Sequence, residues 1–371
     1  MFFPCTGLGH QQRGFETFTL ECSAALAGDP GLDVTVFAGG TVPDVPVRVV
    51  PNLPRDSRAA RWLGALHGRG PYFSEQVTFF AAFVPQLARH RPDVVYFADL
   101  NLGNLCWHWR RLTGQRYRLL FYNGGLTTMP FTRADLVQQL TPQGLDEALA
   151  RGEDAGRQVL LPHGVSVPDS LPERIIGAER VALGLPADRP VVLSVGLVDA
   201  SVKRMDYLVR EIARLPEPRP FLVVLGAESP ESPAIRALAH DLLGAGNTLF
   251  RTVEREAVAS YYRAADVFAL ASVREGFGLA YVEALAHGLP IIAHDFPVTR
   301  YLLDRDAVLS DLTHAGALAR AVSQALSDAD TDATRAARHQ RALTRFSWTV
   351  LREQYAAMLL RAAAVPMVGA R

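Results

Sequence analysis

The stretch Asp266 to Asp295, DVFALASVREGFGLAYVEALAHGLPIIAHD, decides how the rest of the chain is read. It opens on a short apolar run, DVFAL, passes through a loop carrying Gly276 and Gly278, takes helical spacing from Leu279, and closes on a second apolar run, PIIAHD. Strand, loop, helix and strand in that order predict one unit of a mostly parallel sheet. Glu275 follows the first strand, the glycines let backbone approach a ligand, and the start of the helix offers free N–H groups, which makes an anion site. Glu283 lies eight residues further on and shares a helix face with Ala280 and His287, while Val282, Leu285 and Leu289 point to the buried side. Two carboxylates repel phosphate, but each accepts two hydroxyl hydrogen bonds. One can grip a sugar ring and the other a ribose, with the helix N–H groups taking the diphosphate between them.

The same alternation extends in both directions. Upstream stand VVLSVGL, RMDYLVREIARL, FLVVLGA, PAIRALAHDLLGAG, TLFR and EAVASYYRAA, which read as strand and helix in turn. The first half repeats the scheme with MFFPC, the loop TGLGHQQRG, a helix from about Phe15 to Ala27, DVTVFAG, VRVVP, DVVYFAD and RLLFYNGG. A chain of 371 residues suits two such lobes, with a break after the loop LPHGVSVP, Leu161 to Pro168. The expected fold is α/β, two Rossmann-like doubly wound lobes facing a cleft, with the chemistry on the strand-to-helix loops.

Composition narrows the function. Hydrophobic residues make up 49% and charged residues 20%, which is globular, and the formal net charge of zero gives no field that would draw nucleic acid. Cys5, Cys22 and Cys106 are too scattered for a zinc site, so buried thiols in a reducing compartment are expected. No apolar run approaches a membrane span and the N-terminus lacks a leader pattern, so the expected location is cytoplasmic, with peripheral contact at the inner face of a membrane as an open alternative. That alternative rests on Arg55 to Phe73, where Trp62 and Tyr72 stand among Arg55, Arg58, Arg61 and Arg69, although the stretch also reads as an ordinary solvated helix. Asp328, Asp330 and Asp332 alternate as in a calcium loop but lack its glycine and terminal glutamate; a helix cap is the better reading, and no metal or cofactor is expected.

Of 38 basic residues other than histidine, Lys203 is the only lysine. Arginine replaces lysine freely on a solvated face, but not where a compact, rotatable ammonium must fit. Lys203 and Arg204 are expected in a first helical turn, after a strand ending at Gly196. Cations oppose the helix dipole there, and a bound diphosphate would reverse the penalty. In the first lobe, Gly7, Gly9 and Gly14 allow a close backbone approach, and His10 and Arg13 are candidates for ligand contact; a tight turn and a helix-end cation are the plainer alternatives.

Glu275 to Glu283 has the E-x7-E form with an internal GFG, and in this it resembles the retaining GT-B glycosyltransferases of family four. RGFETFTLECSAAL resembles that family's first helix, LPHGVSVP its interdomain segment, VGLVDASVKRMDYLV its lysine segment and RFSW its closing helix, so the likeness spans nearly the whole chain. It implies an N-terminal acceptor domain over 1–165, a donor domain over 166–345 and a C-terminal helix over 346–371 that crosses back to the first lobe. It also implies transfer of a hexose from a UDP- or GDP-linked donor to an unidentified acceptor (a saccharide, a lipid-linked compound or a small molecule), with retention and without metal. Carried over by position, Glu275 holds the donor sugar, Glu283 the ribose, and Lys203 with Arg204 the diphosphate. The backbone of Gly276, Phe277, Gly278 and Leu279 supports the donor, and Gly196 ends the strand beside it. Two departures stand out. Leu197 occupies the place where the family often has a phosphate-binding arginine, for which Arg204 is a substitute. YNGG replaces a first-lobe histidine, leaving Asn123 or Asp99 as stand-ins.

A nicotinamide dehydrogenase fits less well, because Gln12 stands where the third glycine belongs and FAGG ends the second strand without a ribose-binding acid. A glycosyl phosphorylase would have to use Lys203 for its cofactor. A GT-B-type sugar-nucleotide epimerase and a catalytically weak nucleotide-sugar-binding protein remain the alternatives of different kind.

Overall fold

Continuous apolar runs such as Phe221–Leu225, FLVVL, with all five residues buried, form strands covered on both faces, as a parallel sheet flanked by helices requires. The computed structural model describes residues 1–11, 14–125 and 130–369. Its first sheet contains β1 (Phe2–Cys5), β2 (Thr35–Ala38), β3 (Arg48–Val49), β4 (Val94–Phe97), β5 (Arg118–Asn123), β6 (Leu136–Gln139) and β7 (Gln158–Leu160). The spatial order is β3, β2, β1, β4, β5, β6, β7, with adjacent strands parallel. The second sheet contains β8 (Val191–Val195), β9 (Phe221–Leu225), β10 (Thr248–Arg251), β11 (Val267–Ala269), β12 (Ile291–His294) and β13 (Ala307–Ser310). Its order is β10, β9, β8, β11, β12, β13, again parallel.

The chain divides into two units, one of Met1–Gly164 with Trp348–Arg371, the other of Val165–Ser347. In each, the strand order reverses once, between β1 and β4 and between β8 and β11. At such a switch point the neighbouring strand-to-helix loops diverge to opposite faces and leave a crevice beyond the carboxyl ends of the strands. The loops after β1, β4, β8 and β11 are therefore the ones to examine.

In the first unit the helix Gly70–His90 lays Phe79, Phe83 and Leu87 on the sheet, where they meet Phe2, Phe37, Phe97 and Phe121 in one core. The C-terminal helix Trp348–Ala364 belongs to the same unit. Its Tyr355 donates to the Pro162 carbonyl at 2.8 Å, and Trp348 donates through Nε1 to Glu21 at 3.0 Å.

Strand β6, LVQQ, carries no apolar alternation to announce it. Gln138 and Gln139 are fully buried, and hydrogen bonds replace the missing pattern. Gln138 Nε2 donates to the Leu161 carbonyl and to Tyr355, each at 2.9 Å, and Gln139 Nε2 donates to Gln158 at 2.9 Å. The Asp-rich stretch is a helix cap, as read: Thr331 accepts from the Thr334 N–H at 3.2 Å at the head of the helix Asp332–Phe346.

Candidate functional site

The loop after β8 is built around two short-range devices. Gly196 N–H donates to the Leu225 carbonyl at 2.8 Å, carrying the strand pairing one residue beyond β8. A side chain at 196 would meet the Lys203 methylenes at 3.1 to 3.2 Å, so glycine leaves the space in which that chain lies. Asp199, 3% exposed, then accepts from the backbone N–H of Val202 at 2.9 Å and of Lys203 at 2.6 Å. This turn fixes the lysine backbone before any ligand arrives. Asp199 was not among the residues singled out from sequence, although an aspartate four residues before the one lysine is the local signal for such a turn.

One expectation about this loop differs from the structure. Lys203 and Arg204 do not stand in a first helical turn: the helix is Met205–Ile212, and Arg204 precedes it in the left-handed region at φ 53°. Lys203 also has a carboxylate partner within the unit. Its Nζ donates to Glu275 Oε1 at 2.5 Å across the β8/β11 switch point, with side chains 20% and 10% exposed. The two site residues taken from separate motifs thus form one ion pair. Arg204 donates to the carbonyls of Leu312 at 2.8 Å and Ala271 at 3.3 Å and lies over the Tyr207 ring, so it ties together the loops after β11 and β13.

After Glu275 the chain turns into the helix Leu279–Ala286 through Gly276, Phe277 and Gly278. Gly278 has φ 89°, and a Cβ there would sit 2.6 Å from the Tyr281 ring, so the position admits only glycine. The Phe277 ring is 3% exposed and packs edge-on against Phe346 at 6.0 Å, which leaves its backbone as its means of meeting a ligand. Glu283 sits on the partly exposed face, 21% exposed, as its spacing predicts, with Val282 and Leu285 fully buried.

Glu283 is held from behind. The Tyr262 hydroxyl donates to its Oε2 at 2.9 Å, and Arg255 Nη1 stands 3.8 Å from its Oε1. Tyr262 is 1% exposed, and burial with the adjacent carboxylate pushes its hydroxyl well above the ordinary tyrosine value, so it stays a donor. His287 stacks on the Tyr262 ring at 5.0 Å and 16°, and its Nδ1 lies 2.8 Å from the Glu283 carbonyl oxygen. Burial lowers the His287 pKa, favouring neutral imidazole. Sequence gave no warning of Tyr262: it is one of two adjacent tyrosines on the helix Arg255–Ala264, far from Glu283 along the chain.

In the first unit the residues expected near a ligand have these places. The Gly7 carbonyl accepts from His10 N–H at 2.9 Å and Gln11 N–H at 2.8 Å, closing the turn after β1. Gly9, at φ 86°, passes so near Gly40 that a Cβ would be 2.4 Å from its carbonyl carbon, while a Cβ on Gly40 would sit 2.8 Å from the His10 ring. His10 Nε2 lies 3.1 Å from Asn52 Oδ1, and Gly14 opens the helix Gly14–Leu26. Arg13 lies outside the described residues.

Asn123 ends β5, and Asp99 lies two residues beyond β4, at the head of the helix Leu100–Thr113. Asp99, 8% exposed, accepts from Thr6 at 2.8 Å and from the Tyr72 hydroxyl. Glu75, fully buried on the helix Gly70–His90, pairs with Arg55 and accepts its backbone N–H at 3.0 Å. Asn123 Nδ2 donates to Gln139 at 2.8 Å; among the described residues its Oδ1 is buried without a partner. Thr6 and Glu75 were missed because the elements that carry them meet only in the fold. Tyr72 and Arg55, from the stretch for which a solvated helix and a membrane contact were the two readings, are part of this network, whereas Trp62 and Leu66 on the helix Arg58–His67 are 70% and 71% exposed. Among the described residues no helix is long and apolar enough to cross a membrane, and no group of His, Cys, Asp and Glu is arranged for a metal ion.

A model of the family described as glycosyl transferases group 1 matches residues 176–342, within the second unit. The D-inositol 3-phosphate glycosyltransferase of Xylanimonas cellulosilytica is 36% identical over 237 residues, covering 60% of this chain and 55% of that protein. The chain thus spans about half the length of that relative. The enzyme of the same name from Mycobacterium avium is 30% identical over 318 residues, covering 76% of this chain and 72% of its own. Among solved structures, a sucrose-phosphate synthase from Thermosynechococcus elongatus superposes with a TM-score of 0.78 at 23% identity, covering 97% and 98% of the two chains. Anabaena HepE in complex with UDP and glucose gives 0.76 at 18%, covering 97% and 99%. The structural likenesses establish the architecture, two Rossmann-like units of the GT-B kind. The family match and the length shared with the mycobacterial relative complete the assignment: this chain belongs to the glycosyl transferases group 1 family.

Proposed function

We propose that the protein is a retaining, metal-independent glycosyltransferase that moves a hexosyl group from a nucleoside diphosphate sugar to a hydroxyl of its acceptor. The observation that carries this reading is the Lys203–Glu275 pair, 2.5 Å apart at the β8/β11 switch point, with Glu283 further along the helix that Glu275 precedes. On this reading Glu275 accepts from donor-sugar hydroxyls while Lys203 turns its remaining N–H bonds to the diphosphate. Glu283 takes the ribose hydroxyls.

Charge builds on the diphosphate as the bond from the anomeric carbon to the phosphate oxygen breaks. Lys203 and the N-terminal end of the helix Leu279–Ala286 are fixed in place to stabilise it. The acceptor oxygen bonds to the anomeric carbon on the face the diphosphate leaves, and its proton passes to the departing phosphate oxygen. Neither a protein nucleophile nor a metal enters this sequence. UDP-linked hexoses are the first donors to try, because HepE is described with UDP and glucose, and inositol 3-phosphate is the first acceptor, because the relatives are named for it.

The test is to incubate the protein with UDP-, GDP- and ADP-linked hexoses and inositol 3-phosphate in the presence of a chelator, following products by proton NMR. A new glycoside with the donor's anomeric configuration is expected. An inverted product overturns retention, dependence on an added divalent ion overturns metal independence, and no nucleotide release from any donor overturns the reading as a whole.

A further inference from the structure

Glu283 needs more than exposure to read a ribose. A glutamate on a helix face is free to swing and can follow a single hydroxyl as easily as two. Here the Tyr262 hydroxyl donates to Oε2 at 2.9 Å. The tyrosine itself cannot move: its ring is 1% exposed, stacks on His287 at 5.0 Å and packs on Phe268 at 5.8 Å. The Glu283 carbonyl, 2.8 Å from His287 Nδ1, fixes that ring in turn, so backbone and side chain of Glu283 are held through one stack. A carboxylate oxygen has two acceptor sites, and the bond from Tyr262 uses one on Oε2.

We infer that Tyr262 is a positioning residue that locks the Glu283 carboxylate in a plane suited to a vicinal diol, so that the protein selects ribonucleoside diphosphate donors over their 2′-deoxy counterparts. The inference rests on the donor-site reading above and extends it to a substrate class. A fixed carboxylate facing a 2′-deoxyribose cannot turn to regain the hydrogen bond that the missing hydroxyl would have donated. A mobile carboxylate would turn to the remaining 3′-hydroxyl and lose less.

The experiment measures dissociation constants of UDP, GDP and ADP and of their 2′-deoxy forms for the wild type and for Tyr262→Phe, which keeps the ring stack and removes only the hydroxyl. In the wild type the preferred ribonucleotide should bind on the order of tenfold tighter than its deoxy form. In Tyr262→Phe that ratio should fall to about one to threefold, with the loss confined mainly to the ribonucleotide. Donor KM should rise in the variant more than kcat falls. A variant that weakens both nucleotides equally shows that Tyr262 only supports the fold, and overturns the inference. A wild type that binds the two forms equally overturns it without any variant, which covers the case in which Tyr262→Phe does not fold. Absence of binding for every ribonucleoside diphosphate overturns the donor site itself, an outcome distinct from binding with no discrimination.

Discussion

The two switch points hold carboxylates in different states. Between β1 and β4, Asp99 and Glu75 are surrounded by donors from their own unit, Thr6, Tyr72 and Arg55, and Glu75 has no exposed surface. Between β8 and β11, Glu275 is met by Lys203 from a neighbouring loop, and both side chains keep some exposure, 10% and 20%. A closed network shapes the ends of its strands. A partly open ion pair retains spare N–H bonds and lone pairs for a ligand. The proposed function assigns ligand recognition to the open pair and structural support to the closed network, although both lie at equivalent points of their sheets.

Breaking the closed network should have the largest effect. Glu75→Ala strips a buried pair of one partner and leaves Arg55, 14% exposed, without it; a loss of about 3–5 kcal/mol is expected, seen as a lower urea midpoint of the first unit. Nucleotide affinity should change less than about twofold, because Glu75 and the proposed nucleotide site lie in different units. A fall in nucleotide affinity as large as the fall in stability would erase the distinction. In the second unit Gly278→Ala forces a Cβ within 2.6 Å of the Tyr281 ring at φ 89° and should cost about 1–3 kcal/mol, measured as a lower melting temperature together with weaker nucleotide binding.

Asp99→Asn keeps the shape of the first-unit network but turns an amide donor toward either Thr6 or Tyr72. A loss of about 1–2 kcal/mol in the stability of the first unit is expected with nucleotide affinity intact, and a fall in nucleotide affinity of the same size would contradict its structural role. The smallest effect concerns pH. Burial lowers the His287 pKa from the ordinary 6.5, so the unfolded state binds the proton more readily. The stability tied to neutral His287 is therefore complete above about pH 6.5 and is lost as pH falls below that value toward the folded pKa. Melting temperatures of wild type and His287→Gln between pH 7.5 and 5, on the order of a few degrees apart in slope, check this; identical slopes would contradict it.

The same contrast explains what could be read from sequence. Glu275, Gly278 and Glu283 lie in one continuous stretch where helical spacing decides which face each takes, and the structure places Glu283 on the partly exposed face and Val282 and Leu285 inside. Both sheets and their parallel order were legible from alternating apolar runs. Strands β6, β7 and β13 were not: all three are short, and in β6 Gln138 and Gln139 satisfy burial by hydrogen bonding instead of apolar packing. The partners Thr6 with Asp99 and Tyr262 with Glu283 were also hidden, since tertiary packing alone brings them together. Lys203 was recognisable as the one lysine retained, but its partner Glu275 was not, since the two residues come from separate stretches of the chain.

The central claim, that a nucleoside diphosphate binds at the β8/β11 switch point on Lys203, is tested most directly by calorimetric titration of UDP, GDP and ADP, with chelator present, into wild type and Lys203→Ala. Selective binding of one nucleotide by the wild type, weakened about 10- to 100-fold in the variant, is the predicted result. Equal affinity in the two proteins would contradict it.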